Sequence, residues 1–208
     1  MQKLIELAQK IEDRDLRKKV IEFIKNPTLS HKEFKKYPKT KIEDSKSLFM
    51  VGGNVVERET LNHIVAVTEC CISIANIVNK TYGIPVNMDH LIAGTLLHDI
   101  MKVFEYKSSK KTVEHTGVML DHSAMAVAEL YHREFPEQVI HMIASHLQGE
   151  TGPTPPRNFE ALILHHVDTM LAMIEFQWNA MKKQSQIPLI LLSEEEIKKL
   201  GGKTEESK

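Results

Sequence analysis

Six side chains stand out for the chemistry they could do together. They are His63 in LNHIVAV, His98 and Asp99 side by side in GTLLHDIMK, His122 in LDHSAMAVAEL, His146 at the end of VIHMIASH, and Asp168 in ALILHHVDTMLAMI. Each is a histidine or an aspartate inside an apolar stretch with helical spacing. Such groups are costly to bury unless something uses them. Imidazole nitrogen with carboxylate oxygen suits Zn, Fe, Mn, Co or Ni better than the all-oxygen cage of Ca, and an aspartate can bridge two ions. One helical histidine alone would be an ordinary core or surface residue. Five such positions and a buried-looking His-Asp pair make a candidate metal centre. Of the 11 histidines in the chain, His90, His132 and His141 read as solvent-facing or locally hydrogen-bonded. There is no G-x-S-x-G elbow and no P-loop, so no protein nucleophile is evident.

These residues must be carried by helices. Apolar residues at helical period predict a helix over residues 2–25, stopped by Asn26-Pro27. A short helix capped by Ser30 follows, closed by Pro38. Residues 39–58 are polar, contain Gly52-Gly53, and read as a connector. A long helix is expected from about Arg58 to Tyr82, stopped by Gly83 and Pro85. The next runs from Asn87 or Met88 to about Glu105, with Asn87 as N-cap, and KSSKK forms a surface turn. Further helices fit 121–134, 136–147 and 158–182, with Pro136 in a first turn. A Gly/Pro loop, GETGPTPPRN, separates the last two. No strand alternation and no internal repeat are visible, so the expected fold class is all-α. Three segments are expected: residues 1–50 as an N-terminal helical extension, 51–185 as the domain bearing the site, and 186–208 as a C-terminal helix and disordered tail.

Composition narrows the function classes. The chain has 208 residues, 42% of them hydrophobic, which suits one globular core. A formal net charge of −1 gives no general attraction to nucleic acid or membrane. The two cysteines, Cys70 and Cys71, are adjacent and form no disulfide scaffold, which fits a reducing compartment. The first residues mix charges throughout and do not resemble a signal peptide. No unbroken apolar run approaches the roughly 18 residues of a membrane span. A cytoplasmic protein with no membrane partner is the expectation.

The order His … His-Asp … His … His … Asp resembles the HD superfamily of metal-dependent phosphohydrolases, over roughly residues 52–175. LLHDIMK followed at the right distance by ALILHHVDTMLA carries the resemblance. It implies an HD-domain helical bundle in which His63, His98, Asp99 and Asp168 bind one metal. His122 and His146 match the positions that hold a second metal in binuclear members, with Asp99 bridging. The stretches DHSAMAVAEL, MIASHLQGE and EALILHHVD are most similar to the branch containing 3′–5′ exoribonucleases. Pterin cyclic-phosphate phosphodiesterases are compact members of the same superfamily. Two departures bear on the site. Leu147 follows His146 where many binuclear members have a second histidine, and Met101 replaces a usual glycine. The oligonucleotide-binding β-barrel that precedes the HD domain in some exoribonucleases is not expected here.

What the resemblance implies is one or two divalent ions (Fe, Mn, Zn, Co or Ni) and a metal-activated hydroxide attacking phosphorus in line. The expected substrate is a small phosphodiester, including a 2′,3′-cyclic ester of nucleotide or pterin type. Short RNA or DNA cut by a 3′–5′ exonuclease is the alternative, as is a regulatory module that binds metal without catalysis. Homo-oligomerisation is left open. Asp99 and Lys102 are the expected catalytic pair, since a helix places Lys102 on the face of the doublet, where its ammonium could hold a phosphate oxygen. Glu59, four residues before His63, could orient that ligand. His115 and His165 are further candidates near the site, and Arg157, in the loop before the Asp168 helix, could contact substrate. Lys32, Lys35, Lys36, Lys39 and Lys41 read first as a solvated face and second as a phosphate-steering rim. Met170, Met173 and Met181 read as core or helix-packing residues.

Overall fold

A computed structural model describes residues 1–51, 54–108, 112–147 and 154–184. The expected Gly52-Gly53 turn, most of KSSKK, the start of the Gly/Pro loop and the C-terminal tail lie outside the described residues.

The fold is mostly helical, as expected. The N-terminal stretch is two helices rather than one, α1 (Gln2–Ala8) and α2 (Arg14–Lys25). The break occurs because Asp13 starts α2: its carboxylate accepts from the Asp15 and Leu16 amides, both at 2.9 Å. Asp89 satisfies the Glu12 and Asp13 amides in turn, at 2.7 and 2.9 Å. The short helix after Ser30 is a 3-10 turn over Lys32–Lys36, and His31 rather than Ser30 accepts from its first turn. α1, α2 and the link between them bury Leu4, Ile11, Val20 and Phe23 in one apolar cluster with Ile92, Leu96 and Ile100. These residues thus complete the core beneath the His98-Asp99 doublet.

Residues 46–59 are not a connector. They form an antiparallel hairpin, β1 (Lys46–Val51) and β2 (Asn54–Glu59), in register from Lys46↔Glu59 to Val51↔Asn54. Val56 and Arg58 are buried while Val55, Glu57 and Glu59 are exposed. The inward face pairs Ser47 with Arg58 and Phe49 with Val56. Half of that face is polar, which hides the alternation from a hydropathy reading.

α3 (Thr60–Tyr82) ends as expected at Gly83, which takes a left-handed φ of 68°. It is long and apolar enough to cross a membrane by length and composition. Its inward side, with Ile64, Val67, Cys71 and Ala75, packs into the core, and α3 lies against α4 (Met88–Leu97). Asn87 caps α4, accepting from the His90 amide at 3.0 Å. The helix expected to run on to Glu105 stops at Leu97. The chain turns through residues 98–101 and resumes as one turn, α5 (Lys102–Glu105). A second hairpin follows, β3 (Tyr106–Ser108) against β4 (Val113–His115). Then come α6 (His122–His132), α7 (Glu137–Ser145) and α8 (Phe159–Gln184).

α4 packs closely on α7 at Gly94, where a side chain would run into Met142. A second apolar cluster, with Val67, Leu91, Met142, Leu164 and Val167, joins α3, α4, α7 and α8. By compactness the chain divides into Met1–Phe176 and Gln177–Lys208. The described part of the second unit is the last two turns of α8, where Lys182 lies 5.0 Å from the Trp178 ring centroid. Met170, Met173 and Met181 are not core: they are 42%, 48% and 51% exposed. Both cysteines are free thiols, and Cys71 is buried.

Candidate metal centre

The turn after α4 puts Asp99 at the centre of a buried cluster. Its two oxygens face different neighbours. Oδ2 lies 3.8 Å from His63 Nε2 and 3.7 Å from His98 Nε2. Oδ1 lies 3.2 Å from His122 Nε2 and 4.0 Å from His146 Nε2. Asp168 Oδ1 is 2.9 Å from His63 Nε2. The six residues picked out in the sequence therefore come together from α3, the α4–α5 turn, α6, α7 and α8.

The same ring nitrogen is pinned in all four histidines. His98 Nδ1 donates to the Thr95 carbonyl at 2.7 Å, and His146 Nδ1 donates to the Ile143 carbonyl at 2.7 Å. His122 Nδ1 meets Glu105 Oε2 at 3.0 Å, and His63 Nδ1 meets Glu175 Oε1 at 3.2 Å. An acceptor on Nδ1 fixes the ring and turns Nε2 toward Asp99. Burial then isolates these atoms. His98 Nε2 and His146 Nε2 are buried without a hydrogen-bond partner, and His122 Nε2 and Asp99 Oδ1 face each other in the same buried space at 3.2 Å. Unpaired buried nitrogens and a carboxylate oxygen aimed at one another are costly unless a cation sits among them. Among the described residues, two groups have the spacing to hold a metal ion: His63 with His98 and Asp99, and Asp99 with His122 and His146.

Two buried cations complete the floor. Arg58 Nη2 is 3.0 Å and Lys102 Nζ 2.9 Å from Asp99 Oδ2. Arg58 also reaches Glu175 Oε2 at 3.4 Å, and its guanidinium lies 4.7 Å from the Phe49 ring centroid. Burial opposes ionisation of Asp99, but Lys102, His98, His122 and Arg58 hold its pKa well below the usual carboxylate range. Asp168 is lowered as well, its bond to His63 outweighing burial. Burial lowers His98, and pushes His146 down to about 3. His63 and His122 move the other way. Burial opposes their charged forms, but Asp168 and Glu175 raise His63, and Asp99 and Glu105 raise His122.

The floor opens into a cleft of about 550 Å³. Its inner end is lined by Arg58, Lys102, His122, His146 and Asp168, and its outer walls by Leu48, Phe49, Met50, Tyr106, Leu147 and Met173. Tyr106 is half-buried and donates to the Leu48 carbonyl at 3.2 Å, and burial pushes its hydroxyl up to about 12. His165 lines the cleft and donates Nδ1–H to the His146 carbonyl at 2.8 Å.

Several expectations need correcting. Glu59 does not orient His63: it is exposed and accepts from Asn62. Glu175 takes that place. His115 is exposed, packs edge-on against Tyr106 at 5.6 Å, and is not at the centre. Arg157 is not among the cleft residues, and its amide donates to His141. None of the five lysines from Lys32 to Lys41 lines the cleft. Lys39 instead ties down Asn26 at 2.7 Å. The residues that sequence reasoning missed are Arg58, Glu105 and Glu175.

The chain is a metal-dependent phosphohydrolase. The HD-domain model matches residues 60–173, and the chain belongs to the HD-domain family. It is 41% identical over 175 residues to the dihydroneopterin 2′,3′-cyclic phosphate phosphodiesterase of Methanocaldococcus jannaschii, covering 81% of this chain and 67% of that protein. It is 31% identical over 134 residues to the 3′–5′ exoribonuclease YhaM of Geobacillus sp. strain WCH70, and 34% identical over 134 residues to that of Oceanobacillus iheyensis. Those two matches cover 58% of this chain and 39% and 40% of the exoribonucleases. No solved structure gives a significant match.

Proposed function

We propose that this chain is a phosphodiesterase that opens a small 2′,3′-cyclic phosphate ester of pterin type. The convergence of four Nε2 atoms on the two faces of Asp99, below Arg58 and Lys102, carries the reading. Likeness to a pterin cyclic-phosphate phosphodiesterase over most of the chain supports the choice of substrate.

In this reading His63, His98, Asp99 and Asp168 hold one divalent ion, and Asp99, His122 and His146 share a second. Leu147 offers no further ligand there, so the second position is the weaker. When bound, the ions supply Lewis acidity toward a phosphoryl oxygen and an acidified water. The protein groups do the rest. Glu105 and Glu175 keep the His122 and His63 rings in register. Lys102 Nζ and the Arg58 guanidinium, both buried, neutralise the non-bridging oxygens, where water screens them least. His165, whose Nδ1–H is already engaged, would take up on Nε2 the proton that the attacking water releases and deliver it to the leaving alkoxide. One water is consumed: its oxygen becomes bonded to phosphorus as the P–O bond to one ring oxygen breaks, and that oxygen is left as the hydroxyl of a monoester.

The test is turnover by protein loaded with Fe, Mn or Zn. The substrates are dihydroneopterin 2′,3′-cyclic phosphate, nucleoside 2′,3′-cyclic phosphates, simple phosphomonoesters and short oligoribonucleotides. Opening of the pterin ester with little monoester hydrolysis is expected. Progressive shortening of oligonucleotides without cyclic-ester hydrolysis would assign an exonuclease instead.

A further inference from the structure

The cleft is larger and more apolar than a phosphate needs. Beyond the ionic floor it is walled by Phe49, Met50, Tyr106 and Met173, of which Met50 and Met173 are 68% and 48% exposed. Exposed methionines and an aromatic ring beside a charged floor fit a flat apolar ligand better than a polyol. Tyr106 is held as a rigid platform. Its hydroxyl is bonded to the Leu48 carbonyl, and Ser108, two residues on, accepts from the Lys46 amide at 2.9 Å. The two hairpins are thereby tied together, and the ring keeps its position before any ligand arrives.

Beside Asp99, which holds Arg58 and Lys102, four carboxylate residues meet at this site, and three are already committed. Glu105 is bonded to His122, and both Asp168 and Glu175 to His63. The fourth, Asp121, lines the cleft, is exposed, and uses Oδ1 to cap α6 through the Ala124 amide at 2.7 Å. It directly precedes His122, so its Cα is only about 3.8 Å from that of a residue facing Asp99. A carboxylate oxygen accepts hydrogen bonds and cannot donate them. Its natural partner is therefore a ligand edge that offers adjacent N–H groups.

Resting on the pterin reading above, we infer that Tyr106 and Asp121 recognise an aminopyrimidinone ring, Tyr106 by stacking on its face and Asp121 by accepting from its amino and imino N–H groups. The ring then lies along the apolar wall while its side chain carries the cyclic ester to the floor.

The experiment separates ring recognition from catalysis by titrating neopterin, a ring with no phosphate, against the metal-loaded protein by fluorescence. Asp121→Asn is the informative variant. Asparagine caps a helix about as well as aspartate, so the fold is kept, while one acceptor becomes a donor. Its Kd for neopterin should rise about 10- to 100-fold, the range of a charge-assisted hydrogen bond. Tyr106→Leu should weaken binding about 2- to 10-fold, and Tyr106→Phe, which keeps the ring, far less. Asp121→Asn should lower turnover of the pterin cyclic ester far more than turnover of glycerol 1,2-cyclic phosphate, an ester without a ring. Guanosine bears the same edge on a purine, and tighter binding of neopterin than of guanosine identifies the ring as a pterin. Equal neopterin affinity in wild type and Asp121→Asn, or equal loss of activity on ring-bearing and ring-free esters, would overturn the inference. If neopterin binds as described but its cyclic phosphate is not hydrolysed, the catalytic reading fails and the recognition stands.

Discussion

Glu175 Oε1 lies 3.2 Å from Nδ1 of His63, a residue 112 positions earlier in the chain. Glu105 stands in the same relation to His122, at 3.0 Å. The other two histidines of the cluster use backbone carbonyls for this purpose. The centre thus has two ring-orienting groups that mutation can remove, one on each side of Asp99. Glu175→Gln and Glu105→Gln should each weaken metal affinity about 10- to 100-fold, the usual cost of losing such a partner. Competition against a fluorescent chelator would measure it. Wild-type affinity in both variants would show that the carboxylates do not orient the rings.

Lys102 and Arg58 act on the substrate side in this account. Lys102→Ala should lower kcat about 10²- to 10³-fold, the range for losing one group that stabilises the transition-state oxygens. Bound metal should be retained. Arg58→Lys keeps the charge but loses the fork that spans Asp99 and Glu175, so a partial loss is expected. Metal content by plasma emission and steady-state kinetics on one preparation separate the two roles. Loss of metal from Lys102→Ala would make it a structural prop of the centre.

Metal loading should release protons at neutral pH. His63 and His122 have raised pKa values in the metal-free protein, and both must give up a proton on Nε2 to ligate. His98 and His146 are lowered and already neutral. Affinity should therefore keep rising with pH above about 6.5, where an ordinary histidine is already half deprotonated. The sign for metal-free stability is the reverse. The contribution of His63 and His122 is fully present below about 6.5 and is lost as pH rises through their raised values. That of Asp99 and Asp168 is present above about 3.9 and lost as pH falls. Calorimetric titration in buffers of different ionisation enthalpy reads the proton count directly. A count of zero at pH 7 would contradict the assignment.

The α4–α7 contact at Gly94 brings His98 and His146 to a ring separation of 5.4 Å. Gly94→Val should force Met142 aside and destabilise the fold by about 1–3 kcal/mol. A lowered thermal midpoint, with metal affinity reduced further, is the expected result. An unchanged midpoint would mean that Met142 relocates freely.

The ligand candidates were legible because histidine and aspartate in apolar helical sequence are rare without a use. Five helices were legible from apolar period and from end signals such as the Gly83 stop and the Asn87 cap. The second layer was not. Glu105 and Glu175 look like ordinary helix charges, and only the packing of α8 against α3 shows that Glu175, not the nearer Glu59, reaches His63. Arg58 was hidden because its hairpin turns a serine and an arginine inward with Phe49 and Val56. The helix expected through Glu105 failed for a related reason. No proline or glycine marks the turn at residues 98–101, so the bend that aims Asp99 into the cluster leaves no local signal.

Anomalous diffraction from crystals of the metal-loaded protein, collected at the absorption edge of the added metal, tests the metal centre most directly. The account predicts a strong peak bounded by His63, His98, Asp99 and Asp168, and a weaker one across Asp99 toward His122 and His146. Stoichiometric metal with its anomalous peaks away from Asp99 would contradict it.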